Sequence, residues 1–132
     1  MKKTNLSWGV SITFPGYGGN VDKPDWSLVQ DKLRTVVSRK GTVTLDTLNE
    51  NRNRSLQVRA CSGKYLVTLG VETEEDWVVR GYVNPENPLG NEMVDVSGDY
   101  WVSRSICMDK GLVKRIFQDF FTTDDVSKRY SS

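Results

Sequence analysis

Glu72, Glu74, Glu75 and Asp76 form the densest set of chemistry-bearing side chains in the sequence. Oxygen-rich clusters suit hard divalent cations, and two carboxylates in different environments can serve as acid and base. The run lacks the glycine-punctuated spacing of a calcium loop, so it reads as a solvated hairpin tip or as a docking patch for a basic protein surface. Histidine is absent, which removes the commonest general base and the commonest metal ligand together. Cys61 and Cys107 lie far apart in the sequence. Neither has the histidine that usually activates a cysteine nucleophile, and two thiols cannot complete a zinc site. Both read as small buried hydrophobes, kept reduced. Gly16-Tyr17-Gly18-Gly19 has the glycine content of an anion cradle, but no Lys–Ser/Thr pair follows, and Asp22 and Asp25 would repel a phosphate. A flexible connection is expected there. No catalytic residue, metal ligand or cofactor is expected anywhere in the chain.

The remaining polar and aromatic candidates are sparse. Arg52, Arg54, Arg59 and Lys64 are too few, and too poor in interleaved aromatics, for a nucleic-acid surface. They read as a solvated strand face. Trp8, Trp26, Trp77 and Trp101 fall on or beside apolar periodic faces and are expected mainly in the core. Tyr100 and Trp101 are adjacent, so on a strand they point to opposite sides. Tyr100 is taken with the acidic run as a partner-contact candidate, because an exposed ring can anchor an interface. Tyr17, Tyr82 and, if exposed, Trp101 are further aromatic candidates for binding a peptide or carbohydrate.

These groups must be positioned by the elements that the periodicities define. Leu6, Trp8, Val10, Ile12 and Phe14 alternate with polar or small residues, which predicts a strand with one buried face. Pro15 to Asn20 reads as a loop. A helix over about 25–40 follows, with Asp22 or Asp25 as cap, Trp26, Val29, Leu33, Val36 and Val37 on one stripe, and Gly41 as stop. Val43 and Leu45 begin the next strand, Asn49 to Arg54 reads as a polar turn, and Leu56, Val58 and Ala60 alternate beyond it. Ser62-Gly63 suits a two-residue hairpin turn before Tyr65, Val67, Leu69 and Val71. The acidic link leads to a strand over 77–83. Met93 to Val96 and Tyr100 to Ile106 predict a last hairpin, and Asp109 caps a closing helix over 109–121 with Leu112, Val113, Ile116, Phe117, Phe120 and Phe121 on one side. The tail 122–132 is expected to fray. The fold class is therefore α+β, with one twisted antiparallel sheet and the two main helices packed on it.

Composition sets wider limits. A chain of 132 residues with 37% hydrophobic and 27% charged residues suits one domain, 1–132. The formal net charge of +1 disfavours a dedicated nucleic-acid binder. No apolar run approaches the length of a membrane helix, and Met1-Lys2-Lys3-Thr4 is not followed by the apolar core of a signal peptide. A cytoplasmic location is expected.

Trp77-Val78-Val79-Arg80-Gly81, Gly90-Asn91-Glu92-Met93, Gly98-Asp99-Tyr100-Trp101 and the run from Met108-Asp109-Lys110-Gly111-Leu112-Val113 to Phe120-Phe121 resemble small bacterial immunity proteins. Those proteins belong to contact-dependent growth inhibition and related polymorphic toxin systems. The resemblance covers about the second half of the chain and implies a non-enzymatic protein that binds a cognate toxin domain and occludes its active site or substrate approach. It transfers no contact residue, because such families diversify at the toxin-facing surface. The alternative reading from the residues is a peptide- or carbohydrate-binding module. An enzyme using the carboxylates of the acidic run is the third.

Overall fold

The computed structural model describes residues 3–10, 18–49, 52–61, 63–73, 75–96, 99–123 and 125–126, apart from the side chains of Val10, Asn49 and Arg52. Six strands form the main sheet: β1 (Lys3–Val10), β2 (Gly18–Asp22), β3 (Gly41–Asn49), β4 (Arg52–Cys61), β5 (Lys64–Glu72) and β6 (Trp77–Gly81). Their order is β2-β1-β3-β4-β5-β6, with every neighbouring pair antiparallel. Helix α1 (Trp26–Val37) connects β2 to β3, and helix α2 (Lys110–Thr123) follows the last strands. Both helices lie on one face of the sheet and touch each other. The α+β class is as the sequence indicates.

The register builds the core. Leu6 stands opposite Leu45, Leu45 opposite Leu56, and Leu56 opposite Leu69, so four leucines form a row across four strands. Trp8, Val43, Val58 and Val67 form the next row. Val29, Leu33 and Val36 from α1 close over these rows, with Val113, Ile116, Phe117 and Phe120 from α2. The caps are those the sequence suggests. Asp25 Oδ1 accepts from the Leu28 N–H at 2.8 Å, and Asp109 Oδ1 accepts from the Gly111 N–H at 2.9 Å. Gly63 turns the β4–β5 hairpin with φ +80°, a conformation that costs glycine little.

Several boundaries depart from the expectation. Residues 18–20, expected in a loop, and Asp22, offered as a possible helix cap, belong to edge strand β2. Gly19 suits that strand because the Trp8 indole passes close to it; a Cβ there would stand 3.1 Å from the ring. The polar turn expected at Asn49 to Arg54 is narrower, since β3 runs through Asn49 and β4 starts at Arg52. Helix α1 stops at Val37, where the Ser38 hydroxyl donates to the Arg34 and Thr35 carbonyls and competes with further turns. Ile12, Phe14, Gly16 and Tyr17 lie outside the described residues.

The last hairpin does not join the main sheet. β7 (Met93–Val96) and β8 (Asp99–Val102) pair only with each other, and a 3₁₀ turn at Ser103–Ser105 follows in place of further strand. The hairpin rests on the sheet face opposite the helices. Leu66, on that largely polar face, forms a second small core with Val96 and Ile106, joined by Val94 and Trp101.

The tail is anchored further than expected. α2 continues to Thr123, Val126 is buried, and Asp125 meets Arg80 of β6 at 3.0 Å and Arg54 of β4 at 3.5 Å. Residues 127–132 lie outside the described residues. Burial works against ionising Asp125, but the Val126 N–H and the two guanidinium groups outweigh it and hold its carboxyl below the usual range.

Two outcomes test this packing. A depressed native carboxyl stabilises the fold above its unfolded pKa and loses that effect as pH falls through the native value. Asp125→Asn is therefore expected to lower the urea midpoint at pH 7, and the gap from the parent to close as pH falls through and below the usual aspartate range. In the small core, the Trp101 indole N–H is buried with no acceptor among the described residues. Trp101→Phe removes that unpaired donor and is expected to change stability by less than about 1 kcal/mol, whereas Trp101→Ala costs about 3 kcal/mol or more in the same denaturation assay.

Candidate functional site

The acidic run closes the turn between β5 and β6 at one end of the sheet's edge. Glu72 ends β5, and its carboxylate accepts a hydrogen bond from the Asn53 side-chain amide on β4. Thr73 and Asp76 pin the turn. The Thr73 N–H donates to the Asp76 carbonyl at 2.7 Å, and the Thr73 hydroxyl accepts from the Asp76 N–H at 3.0 Å. Asp76 Oδ1 then accepts from the Trp77 N–H at 2.7 Å, which starts β6. Glu75 is exposed, and Glu74 lies outside the described residues. Among the described residues no group of three or more Cys, Asp and Glu side chains is placed to hold a metal ion. These carboxylates fix a turn and present charge.

β6 itself carries the feature that the sequence hid. It ends the main sheet opposite β2, and Trp77, Val78 and Val79 are 46%, 46% and 60% exposed. Trp77 was expected in the core. Instead, its register opposite Glu72 places it on the face away from the helices. The indole lies against Gly70, where a Cβ would stand only 2.1 Å from the ring. An aromatic over a strand glycine covers backbone that no side chain protects.

The ladder also fixes which backbone groups remain available. The Tyr82 N–H donates to the Val67 carbonyl at 2.9 Å. Antiparallel pairing alternates, so Arg80 and Val78 face β5 while Trp77, Val79 and Gly81 turn their peptide groups outward. The Arg80–Asp125 pair holds the strand from the helix side. The result is a short, flat edge with apolar side chains on both faces and a negative turn at one end.

Tyr100 does not belong to this site. It is 69% exposed, but on the outward side of the β7–β8 hairpin. The hairpin is tied to β4 by the Arg59–Asp99 ion pair at 3.1 Å, and Arg59 stands opposite Leu66, six residues before Glu72. At about 3.3 Å per residue this puts Tyr100 roughly 20 Å from the acidic turn. The basic residues are likewise divided. Arg54 points to the helix face and Arg59 to the other, as the odd spacing demands, while Lys64 Nζ donates to the Asp95 carbonyl. The Arg52 side chain lies outside the described set.

The other candidates lose their roles by burial. Tyr82 is 6% exposed and belongs to the main core, so it offers no ring to a ligand. Cys107 is buried, and that burial pushes its thiol up; its Sγ lies 3.4 Å from the Asp109 carbonyl. Cys61 is half-buried, where full burial was expected, because it sits beside the small core rather than within the large one. Cys61 and Cys107 are not joined in a disulfide. Gly70, facing a tryptophan that begins the next strand, was the local signal for the Trp77 seat. Nothing local marks β6 as the edge.

No helix among the described residues is long and apolar enough to cross a membrane. No curated protein sequence is similar to the chain. The fold is similar to that of a solved structure described as a hypothetical protein from Neisseria gonorrhoeae. The two align with a TM-score of 0.74 and 14% identity over 97% of this chain and 92% of that one, a likeness of fold alone. A family of unknown function, DUF6911, matches residues 7–130, and the chain belongs to that family.

Proposed function

We propose that this chain is a cytoplasmic immunity protein that neutralises a cognate toxin domain by occupying its surface, with β6 and its acidic turn as the docking edge. The observation that carries the reading is the β6 edge, which no described strand pairs on its outer side, with Trp77, Val78 and Val79 exposed beside Glu72, Glu75 and Asp76. A strand of the partner added to this edge takes main-chain hydrogen bonds from the outward peptide groups of Val79 and Gly81. Trp77 and Val79 supply apolar contact on one face, and Val78 on the other. The carboxylates favour a partner segment bearing Lys or Arg and raise its association rate. No step of catalysis is assigned to the chain; it acts by blocking access. The resemblance of the C-terminal half to immunity proteins of polymorphic toxin systems supports the same reading.

The reading expects a toxin domain to be encoded beside this gene, and the test uses that domain. A stoichiometric complex that suppresses the toxin's activity is expected. Val79→Pro removes an outward N–H without taking a donor from the β5 ladder. It is expected to weaken the complex by about tenfold or more while leaving the urea midpoint nearly unchanged. Glu75→Lys is expected to slow association and flatten its dependence on salt. Parent-like affinity in Val79→Pro, together with parent-like association in Glu75→Lys, moves the interface off this edge. The lack of any complex with the neighbouring toxin overturns the immunity reading itself.

A further inference from the structure

We propose that the groove between α1 and α2 binds a small amphiphilic anion, a carboxylate or similar charged head on an apolar body. The site is on the opposite side of the core from the polar sheet face and does not depend on the β6 edge. Its volume is about 380 Å³, within the range of small-molecule sites. Leu33, Val37 and Val113 give it an apolar floor, and Arg34, Lys110 and Lys114 stand at its margin.

The charges around the groove select the sign of the head group. Arg34 is already engaged, with its guanidinium 3.1 Å from Asp31. Asp109 is committed to capping the Gly111 and Leu112 N–H groups of α2. Lys110 and Lys114 have no ion-pair partner among the described residues. Their placement is unfavourable for the helix alone. Lys110 sits in the first turn, where the helix dipole disfavours a cation, and Lys114 stands one turn beyond it, where like charges repel. An anion held between the two ammonium groups reverses both effects, while its apolar body covers Leu33, Val37 and Val113. A neutral apolar ligand would gain only the second contribution. A phosphate or sulfate alone would gain only the first.

Decanoate, kept below its micelle concentration, is the probe, and backbone amide shifts of the full chain are the readout. Saturable one-to-one binding is expected, with the largest shifts at Leu33, Val37, Gly111 and Val113. Decan-1-ol is expected to bind about tenfold more weakly or worse, since it lacks the charge-assisted contacts. Lys110→Glu/Lys114→Glu is expected to lose decanoate binding by at least about tenfold as well, with helical content checked by circular dichroism. If that double variant does not fold, the comparison of decanoate with decan-1-ol on the parent chain decides. The proposal is overturned by shifts that never saturate, by shifts centred outside the groove, or by decanol binding as tightly as decanoate. Undiminished binding by the folded double variant overturns it too. Binding to phosphatidylglycerol vesicles without binding to free decanoate also overturns it, in favour of a membrane surface.

Discussion

Strand register is the constraint from which the rest of this structure follows. The row Leu6–Leu45–Leu56–Leu69 exists only in one alignment of β1, β3, β4 and β5. A slip of one residue would send Ser7, Thr44, Gln57 and Thr68 into the core and the leucines to the far face. The helices then have one face to cover, and their apolar stripes are matched to it. The same register decides the sides of residues that do no packing at all. Arg54 and Arg80 arrive on the helix face, where Asp125 meets both, and Trp77 arrives on the opposite one.

The two faces differ in kind, and that difference shapes what the surface can offer. The face under the helices is buried and apolar, while the other is lined by Ser, Thr, Asn and Gln, with contacts such as Gln57 Nε2 to Thr44 Oγ1 at 3.2 Å. Leu48, Leu66, Trp77 and Val79 break the pattern; the small β7–β8 hairpin covers Leu66, and the other three stay exposed. Among the described strands β6 pairs with β5 alone. An edge of this sort is usually blunted by charge, brevity or proline. Here it is short and flanked by carboxylates, yet it keeps three apolar side chains in the open.

Much of the fold could be read directly from the residues because its signals are local. Alternation announced β1, β4 and β5, three-to-four spacing announced both helices, Asp25 and Asp109 marked their starts, and Gly63 marked a hairpin. The errors share one cause. β2 has almost no apolar alternation, since Gly18-Gly19-Asn20 derives its strand character from pairing with β1 and from the Trp8 ring. Arg52 to Arg54 are polar yet extended because β3 lies alongside. The exposure of Trp77 and the separation of Tyr100 from the acidic turn depend on which strand ends the sheet. That is a property of pairing among distant segments, and composition alone does not encode it. The groove between the helices belongs to the same class, because its floor comes from residues about eighty positions apart.

The Arg80–Asp125 bond spans 45 residues of chain. During synthesis at about 5–20 residues per second, Arg80 is joined to the growing polypeptide roughly 2–9 s before the aspartate that will hold it. For that interval β6 lacks the latch that Asp125 supplies in the finished fold. The order of translation thus withholds the Asp125 contact of this edge until nearly the whole chain has been made.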